Sequence, residues 1–188
     1  NINDILARVL KTGTYEIGDV VASTSPSMDI QVSSNFERLL FEATGRNAAE
    51  VCRLMRELTE KRKFSLSSNV LDVIRGSFAA ERVDEVETAK IIKDMFEKDG
   101  MLLDPHTAVG YGAALRSDLP VSTPIVTLAT AHPAKFPASV EKACNRQAEE
   151  IIDTPERVKV MMKQDETYET YPNDLAQVQD FIRQKKTD

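Results

Sequence analysis

The stretch "LATAHPAKFPASV", Leu128 to Val140, packs a threonine, a histidine, a lysine and two prolines into a few residues. A hydroxyl at Thr130 can donate or accept a hydrogen bond, so it can meet a heterocyclic nitrogen without imposing a charge on it. His132 and Lys135 offer donors to an anion. A linker needs neither proline stiffness nor this mixture of donors, whereas a loop that holds a small polar ligand at a fixed distance needs both. A plainer use of the same residues stands beside that one: Thr130 in a turn, His132 in the core and Lys135 in water.

Two further places have the residue types for anion binding. Asn35 and Arg38 lie in "SSNFER" at the start of a predicted helix, where unpaired N–H groups and the positive dipole end suit a phosphate or carboxylate and Arg adds a bidentate fork. The alternative has Asn35 capping the helix and Arg38 pairing with Glu42 one turn on. His106, in "DPHTAVG", either faces a site or is a core histidine behind Asp104 as helix cap. Cys52 and Cys144 lie far apart on helix-like segments and read as thiols rather than a disulfide. With neither Cys-x-x-Cys nor His-Glu-x-x-His present, no metal site is predicted.

Something rigid has to deliver these groups. Pro124–Ala129, rich in β-branched side chains, predicts a strand whose carboxyl end carries Thr130, the position at which open α/β sheets meet their ligands. A lone strand leaves both edges unpaired, so it predicts a sheet whose other strands lie elsewhere. The expected class is therefore α/β: helix-rich, with few strands and an incomplete sheet. Helices are predicted from Ile2 to Leu10, with Asn1 or Asn3 as cap and Gly13 as stop; from Ser34, in capping-box spacing with Glu37, to Gly45; and from Asn47 with Glu50 three residues on. Others are predicted over Asn69–Ala80, over Asp84–Lys98 before Gly100, from Asp104 through Pro105, from Pro137, over Pro155–Met162 and over Asp174–Gln184. Ala108, Gly110, Gly112, Ala113 and Ala114 make the Pro105 helix one that can approach another backbone closely. A short strand is expected at Asp19–Ala22 and an extended piece at Met101–Leu103. With no repeat, low-complexity tract or linker, residues 1–188 read as one domain. The chain opens without Met, directly on a helical pattern, and reads as a piece of something longer.

Composition narrows the partners. The 188 residues are 41% hydrophobic, enough for one ordinary domain, and the net charge of -6 lacks the basic footprint that nucleic acid or an anionic membrane requires. No apolar run approaches the roughly 20 residues that cross a bilayer, and no signal peptide opens the chain, so a cytoplasmic location is expected.

In chain order, "SPSMDIQVSSNFERLLFE", "DPHTAVG" and "TAHPAKF", spanning Ser25 to Phe136, resemble the threonine synthase family in its bacterial and fungal branch. The resemblance implies the C-terminal part of a catalytic domain of fold type II, the tryptophan synthase beta-like class of pyridoxal-phosphate enzymes. It implies conversion of O-phospho-L-homoserine and water to L-threonine and phosphate. Thr130 matches the residue whose hydroxyl faces the pyridine nitrogen, leaving the ring a milder electron sink than an aspartate would. Asn35, Arg38, Lys135 and His106 fall in the matched stretches as substrate-binding candidates. The family's Schiff-base lysine, in a Phe-Lys-Asp stretch, and its Gly-rich phosphate loop do not occur in this sequence, so the chain alone is expected to be inactive. Lys98 in "FEKDG" is instead a helix-terminal cation beside Gly100. The competing readings are another fold type II enzyme (a threonine dehydratase or cysteine synthase) and a non-catalytic helical interaction module; monomer and dimer both remain open.

Overall fold

Local chemistry sets the helix ends. The computed structural model describes residues 1–185, which fall into one unit over Asn1–Asp153 and a second from Thr154 onward. In the first, α1 (Ile5–Thr12) stops at Gly13, whose φ of 78° is left-handed and whose N–H bonds the Val9 carbonyl at 2.7 Å. The chain then enters β1 (Thr14–Glu16) and, after an irregular stretch, α2 (Phe36–Ala43) and α3 (Ala48–Lys61). β2 (Lys63–Ser65) returns antiparallel to β1 with Tyr15 opposite Phe64, and α4 (Ser68–Arg75) follows. Tyr15, Phe64 and Phe36 form the aromatic centre of the first core, with ring centroids 5.1 Å and 5.8 Å from Tyr15. Ile5, Val9, Leu40, Leu54 and Ile74 close around them.

α5 (Glu85–Asp99) packs on α6 (Pro105–Ala114) and α7 (Pro137–Cys144), with α8 (Ala148–Ile151) beside α7. Val83, Ile92, Leu103, Ala108, Val109 and Val140 make this second core. The unit from Thr154 contains α9 (Glu156–Met161) and α10 (Leu175–Lys185), neither with a buried residue. Asp174 caps α10 by accepting the Gln177 N–H at 2.9 Å, and Tyr171 lies 4.7 Å from Phe181 between ring centroids. No helix among the described residues is long and apolar enough to cross a membrane.

The predicted caps at Asn47 and Asp104 and the stops at Gly13 and Gly100 are where the sequence places them, and Asp84, the first residue of the span predicted for α5, is its cap. Five expectations are corrected. α1 starts at Ile5 behind Asp4 rather than at Ile2, and neither Asn1 nor Asn3 caps it. Ser34 does not cap α2; Asn35 takes the cap position without a side-chain bond to the helix. α4 starts one residue early, capped by Ser67, and ends at Arg75 rather than Ala80. Asp19–Ala22 forms no strand because the Asn3 side-chain amide engages both peptide groups of Val21, each at 2.8 Å. Pro124–Ala129 carries no ladder among the described residues, where β1 and β2 are the only paired strands; Ile125, Val126 and Leu128 are 50%, 83% and 74% exposed. β-branched composition favours extended backbone, but a strand also needs a neighbouring edge.

Candidate active site

The Asp104 carboxylate organises the region around "DPHTAVG". As N-cap of α6 it accepts the His106 N–H at 2.9 Å and the Thr107 N–H at 3.3 Å, and Pro105 follows at the position where a missing N–H costs nothing. The same carboxylate also accepts the proton on His106 Nδ1 at 2.9 Å and the Thr107 hydroxyl. Asp104 is 1% exposed, and these four donors replace the water it has lost.

Each of the two side chains bound to Asp104 reaches a different segment. With its Nδ1 proton directed to Asp104, His106 presents the Nε2 lone pair to the Ser27 N–H at 3.2 Å, while its ring lies 4.5 Å from that of Phe136. Thr107 gives its hydroxyl proton to Asp104 and accepts the Thr130 N–H on the same oxygen at 3.2 Å. Segments far apart in sequence, at Ser27, at Asp104–Thr107 and at Thr130–Phe136, thus meet through hydrogen bonds. Beside them runs a cleft of about 390 Å³ lined by Leu103, Asp104, Thr107, Ala129, Ala131 and His132.

The candidate residues separate into two groups. Thr130, His106 and Lys135 share the first. Thr130 is exposed, and its hydroxyl has no partner among the described residues. Lys135 is also exposed and ends a 3-10 turn, Pro133–Lys135, with Nζ 5.6 Å from the Phe136 ring centroid. His106 is buried with both ring nitrogens engaged, which is the core arrangement rather than the ligand-facing one. His132 caps the turn by accepting the Ala134 N–H on Nδ1 at 3.2 Å.

Asn35 and Arg38 form the second group, at the start of α2. The Ser33 hydroxyl donates to Asn35 Oδ1 at 2.6 Å. Arg38 is exposed and makes no ion pair among the described residues; Glu42, its predicted partner, pairs with Arg46 at 3.1 Å instead. Arg38 lines a shallow groove of about 370 Å³ with Glu37, Phe41, Glu42 and Val51, separate from the cleft at Asp104. The link between the groups is the "SPSMD" stretch, held to His106 at Ser27 and leading on to Ser33 and Asn35.

Sequence reasoning missed a polar network on that same stretch. Asn1 Nδ2 lies 2.8 Å from each of Ser23 Oγ, Ser25 Oγ and Asp29 Oδ1 and shares its two protons among them, and Asn3 Nδ2 donates to Asp29 Oδ1 at 2.8 Å. Ser23 donates to Asp29 from its hydroxyl at 2.6 Å and its N–H at 2.8 Å. Burial works to raise the Asp29 pKa, but the bonds from Ser23, Asn1 and Asn3 outweigh it and hold the carboxyl below its usual range. The Asn-x-Asn spacing is the available signal: the sequence offers these residues as caps of α1, whereas the cap position is Asp4 and both Asn side chains serve this network. Lys98 sits in the last turn of α5, 3.6 Å from Asp94. Among the described residues no three or more His, Cys, Asp or Glu side chains cluster as a metal site.

Residues 107–182 match the family model described as threonine synthase, C-terminal. The chain is 41% identical over 184 residues to the threonine synthase of Pseudomonas aeruginosa, covering 98% of this chain and 39% of that protein. It superposes on the pyridoxal-phosphate-bound threonine synthase of Brucella melitensis with a TM-score of 0.84 at 46% identity, covering 98% of this chain and 39% of that one. For the yeast threonine synthase the TM-score is 0.82 at 34% identity, over 100% of this chain and 41% of the other. The chain therefore spans about two fifths of the length of these relatives. It belongs to the threonine synthase family, whose C-terminal part it matches.

Proposed function

We propose that this chain supplies the Thr130 side of a pyridoxal-phosphate site in an enzyme that converts O-phospho-L-homoserine and water to L-threonine and phosphate, a carbon–oxygen lyase acting on a phosphate. The observation that carries the reading is at Thr130. Its peptide N–H is tied to buried Thr107 while its hydroxyl is left unspent. A neutral hydroxyl on an anchored backbone suits the ring nitrogen of the cofactor: it can donate or accept there and leaves the ring without an imposed charge. When bound, the cofactor supplies the electron sink for elimination of phosphate; the residues of this chain bind and orient.

In this reading Lys135 and Arg38, both exposed cations, and Asn35 at the start of α2 meet the phosphate and carboxylate of the substrate. The part of the family's length that this chain does not span covers Thr130 and carries the Schiff-base lysine and the phosphate loop, so residues 1–188 alone are inactive. A cytoplasmic place of work accords with two free thiols, Cys52 exposed and Cys144 buried. The small-molecule substrate is the partner the reading requires; monomer and dimer are both compatible with it.

Thr130→Val in the full-length protein tests the assignment. Loss of the ring nitrogen's partner in a closed site is expected to weaken cofactor binding by about 1–3 kcal/mol, read by titrating the apoenzyme with pyridoxal phosphate. Unchanged affinity together with unchanged turnover contradicts the assignment and favours a non-catalytic role for the loop.

A further inference from the structure

A helix N-cap requires only that one side-chain oxygen accept a backbone N–H of the first turn. Asp104 does more. It accepts both the His106 and Thr107 amides, and it also fixes the side chains of those two residues. The consequence is directional. A threonine hydroxyl has one proton, and at Thr107 that proton goes to Asp104 Oδ2, which leaves the oxygen's lone pairs to receive the Thr130 N–H. The His106 ring has one proton, and placing it on Nδ1 toward Asp104 leaves Nε2 to receive the Ser27 N–H. One buried carboxylate thereby sets the hydrogen-bonding sense of two side chains, each holding the backbone of a different loop. Asp104, His106 and Thr107 are 1%, 8% and 5% exposed, so water does not compete with them.

We infer that Asp104, His106 and Thr107 form one positioning unit for the cofactor site, in which the Thr107 hydroxyl fixes the Thr130 peptide and so aims the Thr130 side chain. The inference rests on the function proposed above for Thr130. In this unit the three side chains spend their polar atoms on one another and on the two loops. Thr107 acts through Thr130, and His106 acts through Ser27 on the stretch that leads to Asn35.

The test compares Thr107→Val, Thr107→Ser and Thr130→Val in the full-length protein. Three readouts are taken: pyridoxal-phosphate affinity of the apoenzyme, the induced circular dichroism of the bound cofactor, and apoenzyme melting. Val has nearly the shape of Thr but cannot accept the Thr130 N–H, whereas Ser keeps the accepting oxygen. Thr107→Val is expected to weaken cofactor binding about tenfold and to change the induced dichroism, with Thr107→Ser returning both toward wild type. Wild-type affinity and dichroism in Thr107→Val overturn the inference even when that variant melts early, because early melting alone reports a fold contact. Loss of both signals in Thr107→Ser as well also overturns it, since the oxygen is then not what matters. If Thr107→Val does not fold, Thr107→Ala is scored by the same criteria. Thr130→Val separates the positioning role from the function it serves: wild-type cofactor binding and turnover in that variant remove the proposed function itself, whereas weakened binding there beside an unaffected Thr107→Val removes only the positioning role.

Discussion

Asp29 shows how a single carboxylate can hold together segments of little regular structure. It accepts four hydrogen bonds, from Asn1, from Asn3 and two from Ser23, and these keep its pKa depressed against the opposing effect of burial. A depressed folded-state pKa means that the charged form stabilises the fold. That contribution is complete above the unfolded value of about 3.9 and disappears as pH falls through the lower folded value. Asp29→Asn sets an NH₂ donor against at least one of the donors facing the carboxylate. It is expected to lower the stability of the full-length protein by about 1–3 kcal/mol at pH 7, with the difference from wild type narrowing as pH drops below about 4. Urea unfolding at several pH values measures this, and a difference independent of pH contradicts it. Thr130 is the converse case. Its hydroxyl carries no bond among the described residues, so replacement is expected to act on the cofactor and leave the melting of the apoenzyme in place.

At the scale of elements, α6 is held by what it lacks as well as by its cap. A methyl group at Gly112 would lie 2.6 Å from Ile91 Cδ1 and 3.0 Å from Val83 Cγ2, both in the second core. Gly112→Ala is therefore expected to cost about 1–3 kcal/mol through overpacking, seen as a lower melting temperature of the full-length protein. At Gly110 the added methyl would meet Thr127 Cγ2 at an ordinary 3.6 Å, so Gly110→Ala is expected to melt close to wild type. The small-residue pattern of this helix was legible in sequence, as were the caps at Asn47 and Asp104, because both depend on residues within a few positions of one another. The β1–β2 pair was not legible. Its two three-residue strands are defined by each other across a long separation, and neither has an alternating pattern long enough to read. Residues 124–129 misled in the opposite way, with strand composition and no partner edge among the described residues. In the site, Thr130 stood out by residue type and position, and Asp104 only as the cap of its helix. The link through Thr107 could not, because a hydroxyl bonding a peptide 23 residues away leaves no periodic trace.

For the molecule as a whole, the family assignment rests on structural and sequence likeness over nearly all of this chain and about two fifths of its relatives. The stretch carrying Val126, Leu128 and Thr130 is exposed here, and the proposed function has it covered in the full-length protein. The reading then makes a chemical demand that neither competing enzyme class nor an interaction module meets: inorganic phosphate must leave the substrate. The decisive measurement follows phosphate and amino-acid products when the full-length protein, with pyridoxal phosphate, is given O-phospho-L-homoserine. Phosphate and L-threonine appearing in equal amounts, only with the cofactor present, is the predicted result. Absence of phosphate release from a folded, cofactor-loaded protein contradicts it.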